Sequence, residues 1–452
     1  MSTGRAKSSS RTARPCRVAT DFADLLQRSG GWATLAFSVA TYAAVSIAMH
    51  QPFHPGGLRL RYFDLRIYHL GALRLAHGSS LYATPMLHHL GFTYPPFAAL
   101  LLAPLAWVPL SVDKLAVTGL NVLLLVWLLR RALMLSSRHD AAGRPTGVVT
   151  SRAGAWSRAA GLAAAALWLE PISVTLGYGQ IDLLITALVV FDLSRPDEAR
   201  TKGVAIGVAA AIKLTPLLFI VYLLFSRRRQ AAGVAAVTFV ASIALSFMVM
   251  TRDASVYWFH TIFQTARIGN PIDPVNQSLH GAIARLTGSA QPAGGWELLI
   301  VAITVCGLAL AVGVSRRGDE AAGFSLAAVS TLLASPISWS HHWTLAVPAL
   351  VLLSRRAYER RSRVLEAAVV ILGLIGYAYL PEIGESHFRS TRGLASLPTT
   401  DPYPLVAVLI LAVCAAALAQ ARLRQPRLPA GVRHVVSPRV TISSRDLIRG
   451  LR

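Results

Sequence analysis

The side chains in this sequence best suited to chemistry on an anionic group are one lone carboxylate, one lysine inside apolar sequence and one pair of adjacent histidines. Asp64 is the only acidic residue between Asp24 and Asp113, in a stretch that is otherwise basic. A carboxylate there can serve as a general base, its charged form held by Arg61, Arg66 or neighbouring donors. A plain surface ion pair is the competing reading. Lys213 lies between two apolar half-segments, where an ammonium is costly without a partner or water, so it is a candidate ligand for phosphate. Snorkelling to the interface is the alternative. The Thr215–Pro216 step after it directs a helix N-terminus the same way, and backbone N–H groups there favour anions.

His341 and His342 follow Pro336 and Trp339 and open a short apolar segment. On a helix, adjacent residues point about 100° apart, so the two form a poor bidentate metal pair. The functional reading is a donor or cation for phosphate, with the second ring structural; an interfacial histidine without a task is the alternative. Tyr94, within FTYPPFAALL, is a candidate sugar contact, while Pro95 and Pro96 set the start of a helix. Glu170, Gln180 and Asp182 flank another turn, and Asn276 and Gln277 offer amides suited to sugar hydroxyls or to helix caps. There is no Asp-x-Asp metal–nucleotide motif, no Gly-x-x-x-x-Gly-Lys phosphate loop and no Gly-x-Ser-x-Gly elbow. No cofactor is expected, and no metal site.

The elements that position these residues are apolar. Of 452 residues, 54% are hydrophobic and 14% charged, which excludes an ordinary soluble protein. The formal charge of +23 would suggest nucleic acid in a soluble chain. Here the basic residues cluster between apolar runs, which is a topology signal, and no nucleic-acid partner is expected. Cys16, Cys306 and Cys414 have no metal-ligand spacing.

The run from Trp32 to Met49 reads as an uncleaved first span after a basic tail at 1–31. Further runs lie at 96–110, 114–134, 159–169, 181–193, 203–212, 215–226, 230–251, 297–315, 321–334, 343–353, 364–380 and 403–420. Many are shorter than the roughly 20 residues of a straight span, so some are half-helices packed inside protein. With the N-terminus inside, the cytoplasmic connections receive Arg138, Arg144, Arg152 and Arg158, then Arg227 to Arg229, then Arg316 and Arg317, then RRAYERRSR and a basic tail at 421–452. This requires 96–110 to be re-entrant or fused to the next helix, and 203–226 to bend at KLTP. The transmembrane domain is then 32–420, with long external connections at 50–95, 252–296 and 381–402. Every polar candidate falls on the external side.

The ordered set DLRIYHLGA, LYATP, FTYPPFAALLLAPLAWVP, LEPISVTLGYGQIDLLI, AIKLTPLLF, NQSLHGAIARL and SPISWSHHW, from Asp64 to Trp343, resembles the polyprenol-phosphate-mannose-dependent α-(1→2)-mannosyltransferases of actinobacteria. The resemblance implies an all-α polytopic membrane protein of the class C glycosyltransferase fold, a multi-helix bundle with long external loops. It also implies a catalytic carboxylate in the first external loop, Asp64, and a functional His341–His342 pair. The implied donor is polyprenyl-phosphate-mannose, the acceptor a mannosylated glycolipid or lipoglycan, and the outcome inversion at the anomeric carbon. Asp182 departs from the family pattern, which often has Asn there. On this basis His342, His341, Lys213 and Arg66 are expected at the donor phosphate, and Tyr94, Gln180, Asn276 and Gln277 at sugars. The rivals are a polyprenol-linked arabinofuranose transferase and a lipid or sugar transporter. A transporter would show repeated halves and paired ionisable groups near mid-membrane, and no internal repeat is visible.

Overall fold

The structure is a computed structural model that describes residues 30–48, 60–87, 90–135, 152–292, 294–387 and 394–423. The two basic tails, with Arg138 and Arg144, lie almost wholly outside the described residues. Among those described there are helices, turns and two isolated bridges but no strand. In chain order the helices are α1 (Gly31–Ala48), α2 (Phe63–Ala76), α3 (Pro96–Leu102), α4 (Leu110–Leu135), α5 (Arg152–Ala166) and α6 (Glu170–Tyr178). Next come α7 (Asp182–Leu193), α8 (Val204–Ile212), α9 (Leu217–Phe225), α10 (Arg229–Val249), α11 (Thr251–Phe259) and α12 (Leu279–Thr287). The last are α13 (Trp296–Ser315), α14 (Glu320–Ala334), α15 (Val347–Arg360), α16 (Arg363–Tyr377), α17 (Leu380–His387) and, after a single helical turn at Leu397–Thr400, α18 (Pro402–Leu423).

Among the described residues, six helical stretches are long and apolar enough to cross a membrane: α1, α4, α10, α13, α16 with its continuation to Ile383, and α18. The 20 residues of α13 rise about 30 Å, the thickness of a hydrocarbon core. α5 and α6 make a further span if counted together, bent by 83°. The chain is therefore a multi-pass membrane protein.

The short apolar runs behave as packed half-helices. α3 gives way at Ala103 to a tight 3₁₀ stretch that carries Pro104, so 96–110 does not continue straight into α4. The expected bend at KLTP is present: α8 ends at Lys213, whose backbone is extended, and α9 begins at Leu217. α8 packs closely on α10, because a Cβ on Gly207 would lie 2.5 Å from the Ala235 carbonyl oxygen. Small residues allow that approach where solvent exclusion gives helices little reason to associate.

The molecule has two polar ends. At one, Arg228 joins Asp197 at 3.0 Å and Glu320 at 2.7 Å, Lys202 joins Asp197 at 2.6 Å, and Arg356 pairs with Asp319. α14 leads from that end to Ser335, and α15 returns to it from Val347. The other end holds the start of α2, the α6–α7 turn, the Lys213 break and the Ser335–Ala346 connection.

Candidate active site

Asp64 stands in the first turn of α2 because two contacts pin that turn to α6. The Tyr62 N–H donates to the Gly177 carbonyl at 2.8 Å, with Tyr62 in the left-handed region at φ 52. Leu65, fully buried, lies against Gly179, where an added Cβ would sit 2.7 Å from the Leu65 Cβ. Gly179 itself has φ 69 and ends α6, so glycine is required on both counts. The helix N-terminus favours a carboxylate at Asp64. Burial nevertheless pushes this carboxyl up to about 7; Gln180 and Lys213 oppose the rise, and Asp182 adds to it. Asp64 keeps part of its surface open to a cavity of about 360 Å³.

The α6–α7 turn supplies the next wall. Tyr68 and Tyr94 both donate hydroxyls to the Gln180 Oε1, at 2.5 and 2.9 Å, and the Gln180 carbonyl accepts from the Asn121 amide at 2.9 Å. With its oxygen saturated, the Gln180 amide nitrogen is left for Asp64 and the cavity. Asp182 opens α7 and accepts from the Lys213 Nζ at 2.7 Å. Lys213 reaches it because the extended break after α8 frees the side chain from the helix wall; its Nζ also lies 5.7 Å from the Tyr94 ring centre.

The histidines ride on a 3₁₀ turn, Ser340–Ala346, rather than on an α-helix. Their rings meet edge to face at 4.7 Å. His342 lines the cavity, whereas His341 lies behind it, its Nε2 3.8 Å from the Asp182 Oδ2 and its ring against Tyr178. Burial lowers His341 to about 4, with Asp182 opposing and Lys213 adding; burial, then Lys213 and His341, holds His342 well below the usual range. Both shifts favour the neutral ring, and it is His342 that faces the cavity. The Asp182 Oδ2, His341 Nε2 and His342 Nδ1 are buried without a hydrogen-bond partner. These three residues are also the one group, among the described residues, whose ligand atoms come close enough to hold a metal ion, all within 4.8 Å. The Lys213 ammonium on the other Asp182 oxygen opposes a second cation there.

The cavity thus unites Asp64, His342, Lys213, Tyr94 and Gln180. It does not unite the remaining candidates. Arg66 projects from α2 as an exposed side chain and is not among the lining residues. Asn276 and Gln277 are fully buried, and their amides are spent on the backbone. Asn276 accepts from the Ser338 N–H at 2.9 Å and donates to the Pro271 carbonyl at 3.1 Å. Gln277 donates to the Thr400 carbonyl at 2.7 Å and accepts from the Tyr403 N–H at 3.2 Å. The Asn276 bond to Ser338 and the Gln277 N–H on the Ser338 carbonyl at 2.7 Å zip 271–278 to the segment entering the histidine turn, while the Gln277 side chain ties it to 400–403. Both amides hold the wall in place; neither presents itself to a sugar.

Three lining residues escaped the sequence reading. Tyr68 is one helical turn after Asp64, a spacing that puts both on one face of α2. Trp339 is an aromatic wall within the histidine motif. Arg267 donates to the Tyr82 carbonyl at 3.1 Å and makes no ion pair with a carboxylate among the described residues. Its only signal in the sequence is an arginine on the side that the positive-inside rule depletes.

The sequence model of glycosyltransferase family 87 matches residues 92–336. A polyprenol-phosphate-mannose-dependent alpha-(1-2)-phosphatidylinositol mannoside mannosyltransferase of Mycobacterium tuberculosis is 32% identical over 372 residues, 79% of this chain and 84% of its own. Its namesake from Mycolicibacterium smegmatis is 35% identical over 66% of this chain and 71% of its own. A polyprenol-phosphate-mannose-dependent alpha-(1-2)-phosphatidylinositol pentamannoside mannosyltransferase of Mycobacterium tuberculosis is 32% identical over 71% of this chain and 73% of its own. No solved structure matches. The family match spans the α6–α7 turn, Lys213 and Arg267, and the relatives align over most of both chains, so this membrane protein belongs to glycosyltransferase family 87.

Proposed function

We propose that the protein is an inverting mannosyltransferase that moves mannose from polyprenyl-phosphate-mannose to a 2-hydroxyl of a phosphatidylinositol mannoside or a related lipoglycan, at the external membrane face. The observation that carries this reading is one cavity holding a carboxyl that titrates near neutrality, Asp64, opposite nitrogen donors for an anion, Lys213, His342 and Arg267. The names of the similar mycobacterial proteins support mannose over arabinofuranose. The lack of a visible internal repeat in the sequence favours an enzyme over a transporter.

In this mechanism the Asp64 carboxylate takes the proton of the acceptor 2-hydroxyl. The hydroxyl oxygen forms its bond to the anomeric carbon as the bond from that carbon to the phosphate oxygen breaks, on the opposite face. The phosphate departs as an anion, so no general acid is needed. Arg267 and the His342 N–H stabilise it, and Lys213, held on Asp182, adds a positive charge partly balanced by that carboxylate. Tyr94 and Gln180 stand beside Asp64, where the reacting sugars meet. The polyprenyl chain stays in the membrane.

The test is transfer by purified protein from polyprenyl-phosphate-mannose in EDTA, without nucleotide sugar. Full transfer is expected, because Lys213 already pairs with the Asp182 carboxylate and opposes a second cation beside it. Strict dependence on GDP-mannose, or loss of transfer in EDTA restored by a divalent ion, overturns the lipid-donor, metal-free reading.

A further inference from the structure

A second cavity, a groove of about 330 Å³, lies apart from the catalytic one. Its floor is α14 and α15, with residues such as Leu326 and Leu350, and its sides are α16 and α18, with residues such as Ile375 and Ile410. α16 packs on α15 but makes no close interface with α18, and the gap between them is the groove. Leu350, Leu353 and Ile410 keep part of their surface exposed within it. The walls are almost wholly apolar except at one end, where Asp319, Arg356 and Arg360 stand. The other end is closed by Trp343 and Tyr403.

We propose that this groove binds one acyl chain of a bilayer phospholipid with an anionic headgroup, the headgroup resting on Arg360 and Arg356 at the membrane face opposite the catalytic cavity. Three observations lead to this occupant. The groove follows α15, whose 14 residues rise about 21 Å, enough for a chain running from headgroup level past the middle of a core about 30 Å thick. Charge at the open end is positive: 355–363 contains five arginines and one glutamate. Arg356 has Asp319, but Arg360 is half-buried and makes no ion pair among the described residues. Burial, and Arg356 beside it, disfavour the Arg360 charge, with Asp319 and Glu359 opposing; a lipid phosphate at this end offsets the remaining cost. A polyprenyl phosphate bound for the catalytic cavity would carry its phosphate at the other end. Because Trp343 follows His342 in one turn, a filled groove also supports the wall of the active site.

The test uses wild type, Arg360→Gln and Ala349→Phe, the last filling the groove, each reconstituted in phosphatidylcholine vesicles with and without phosphatidylglycerol, then extracted and analysed by native mass spectrometry. Wild type should retain phosphatidylglycerol in preference to phosphatidylcholine. Arg360→Gln should lower that preference about fivefold, and Ala349→Phe should lose the retained lipid of either class. Arg360→Gln alters no buried pair and carries the test if Ala349→Phe does not fold. Equal retention of both lipids by wild type, unchanged preference in Arg360→Gln, or displacement of the retained lipid by added polyprenyl phosphate overturns the proposal.

Discussion

Asp64 must be ionised to accept a proton, and its surroundings oppose ionisation. With its carboxyl near 7, turnover should fall about tenfold per pH unit below that value and level off above it. Asp64→Asn should remove this slope and lower turnover by about 10²–10⁴-fold while donor binding survives. The same shift acts on stability. The folded-state value lies above the ordinary 3.8, so this group's contribution is fully present below pH 3.8 and lost as pH rises toward 7. Asp64→Asn should therefore melt higher than wild type at pH 8, with the gap closing by pH 4; equal melting at pH 8 would show a carboxyl at ease in its site. On the phosphate side, Arg267→Ala should raise the donor KM by about 10–100-fold, the worth of one charge-assisted hydrogen bond. His342→Ala should do the same to a smaller degree, since its ring is a neutral donor. His341→Ala should act only through Asp182 and leave the donor KM nearly unchanged. Steady-state kinetics with varied donor separates the three, and an unaltered KM in Arg267→Ala removes that residue from the phosphate site.

At the scale of elements, the site depends on joints more than on helices. Asn276 joins 271–278 to the strand-like segment before the histidines, and its amide has no spare group for a sugar. Asn276→Ala should leave a buried N–H and carbonyl unpaired, at about 1–3 kcal/mol. The expected signature is a lower melting temperature together with reduced kcat. A raised acceptor KM with unchanged melting would instead return Asn276 to the sugar site. The Lys213 break works in the same way: a continuous α8–α9 helix would hold residue 213 against its own wall, whereas the extended residue reaches Asp182.

For the whole molecule, the two polar ends have to face opposite sides of the membrane. The basic end, with Arg228, Arg316 and Arg317, is expected to be cytoplasmic, and the catalytic cavity external. In a background without Cys16, Cys306 and Cys414, Gln264→Cys at the exposed cavity rim should react in intact cells with a maleimide that cannot cross the membrane. Arg317→Cys, equally exposed, should react only after permeabilisation. The reverse pattern inverts the orientation and moves the proposed chemistry to the cytoplasm.

The sequence alone determined the class of molecule, because apolar run length and arginine placement are local properties that a bilayer reads directly. It also pointed to Asp64, Lys213 and the His341–His342 pair, since an isolated polar group in apolar or basic surroundings is visible without knowing its neighbours. The break at KLTP was legible for a similar reason: proline disrupts a helix wherever it stands. Only the tertiary structure decided the rest. Asn276 and Gln277 look like free amides in sequence, and it is the distant partners Ser338 and Thr400 that consume them. Arg66 and Arg267 are both arginines in polar connections, yet one is exposed on α2 and the other lines the cavity. Which histidine faces the site follows from a 3₁₀ turn whose geometry is imposed by its join to residues some sixty positions earlier. Hydrogen-bond saturation, side-chain direction and the titration of Asp64 depend on groups brought together from far along the chain, and packing alone assigns them.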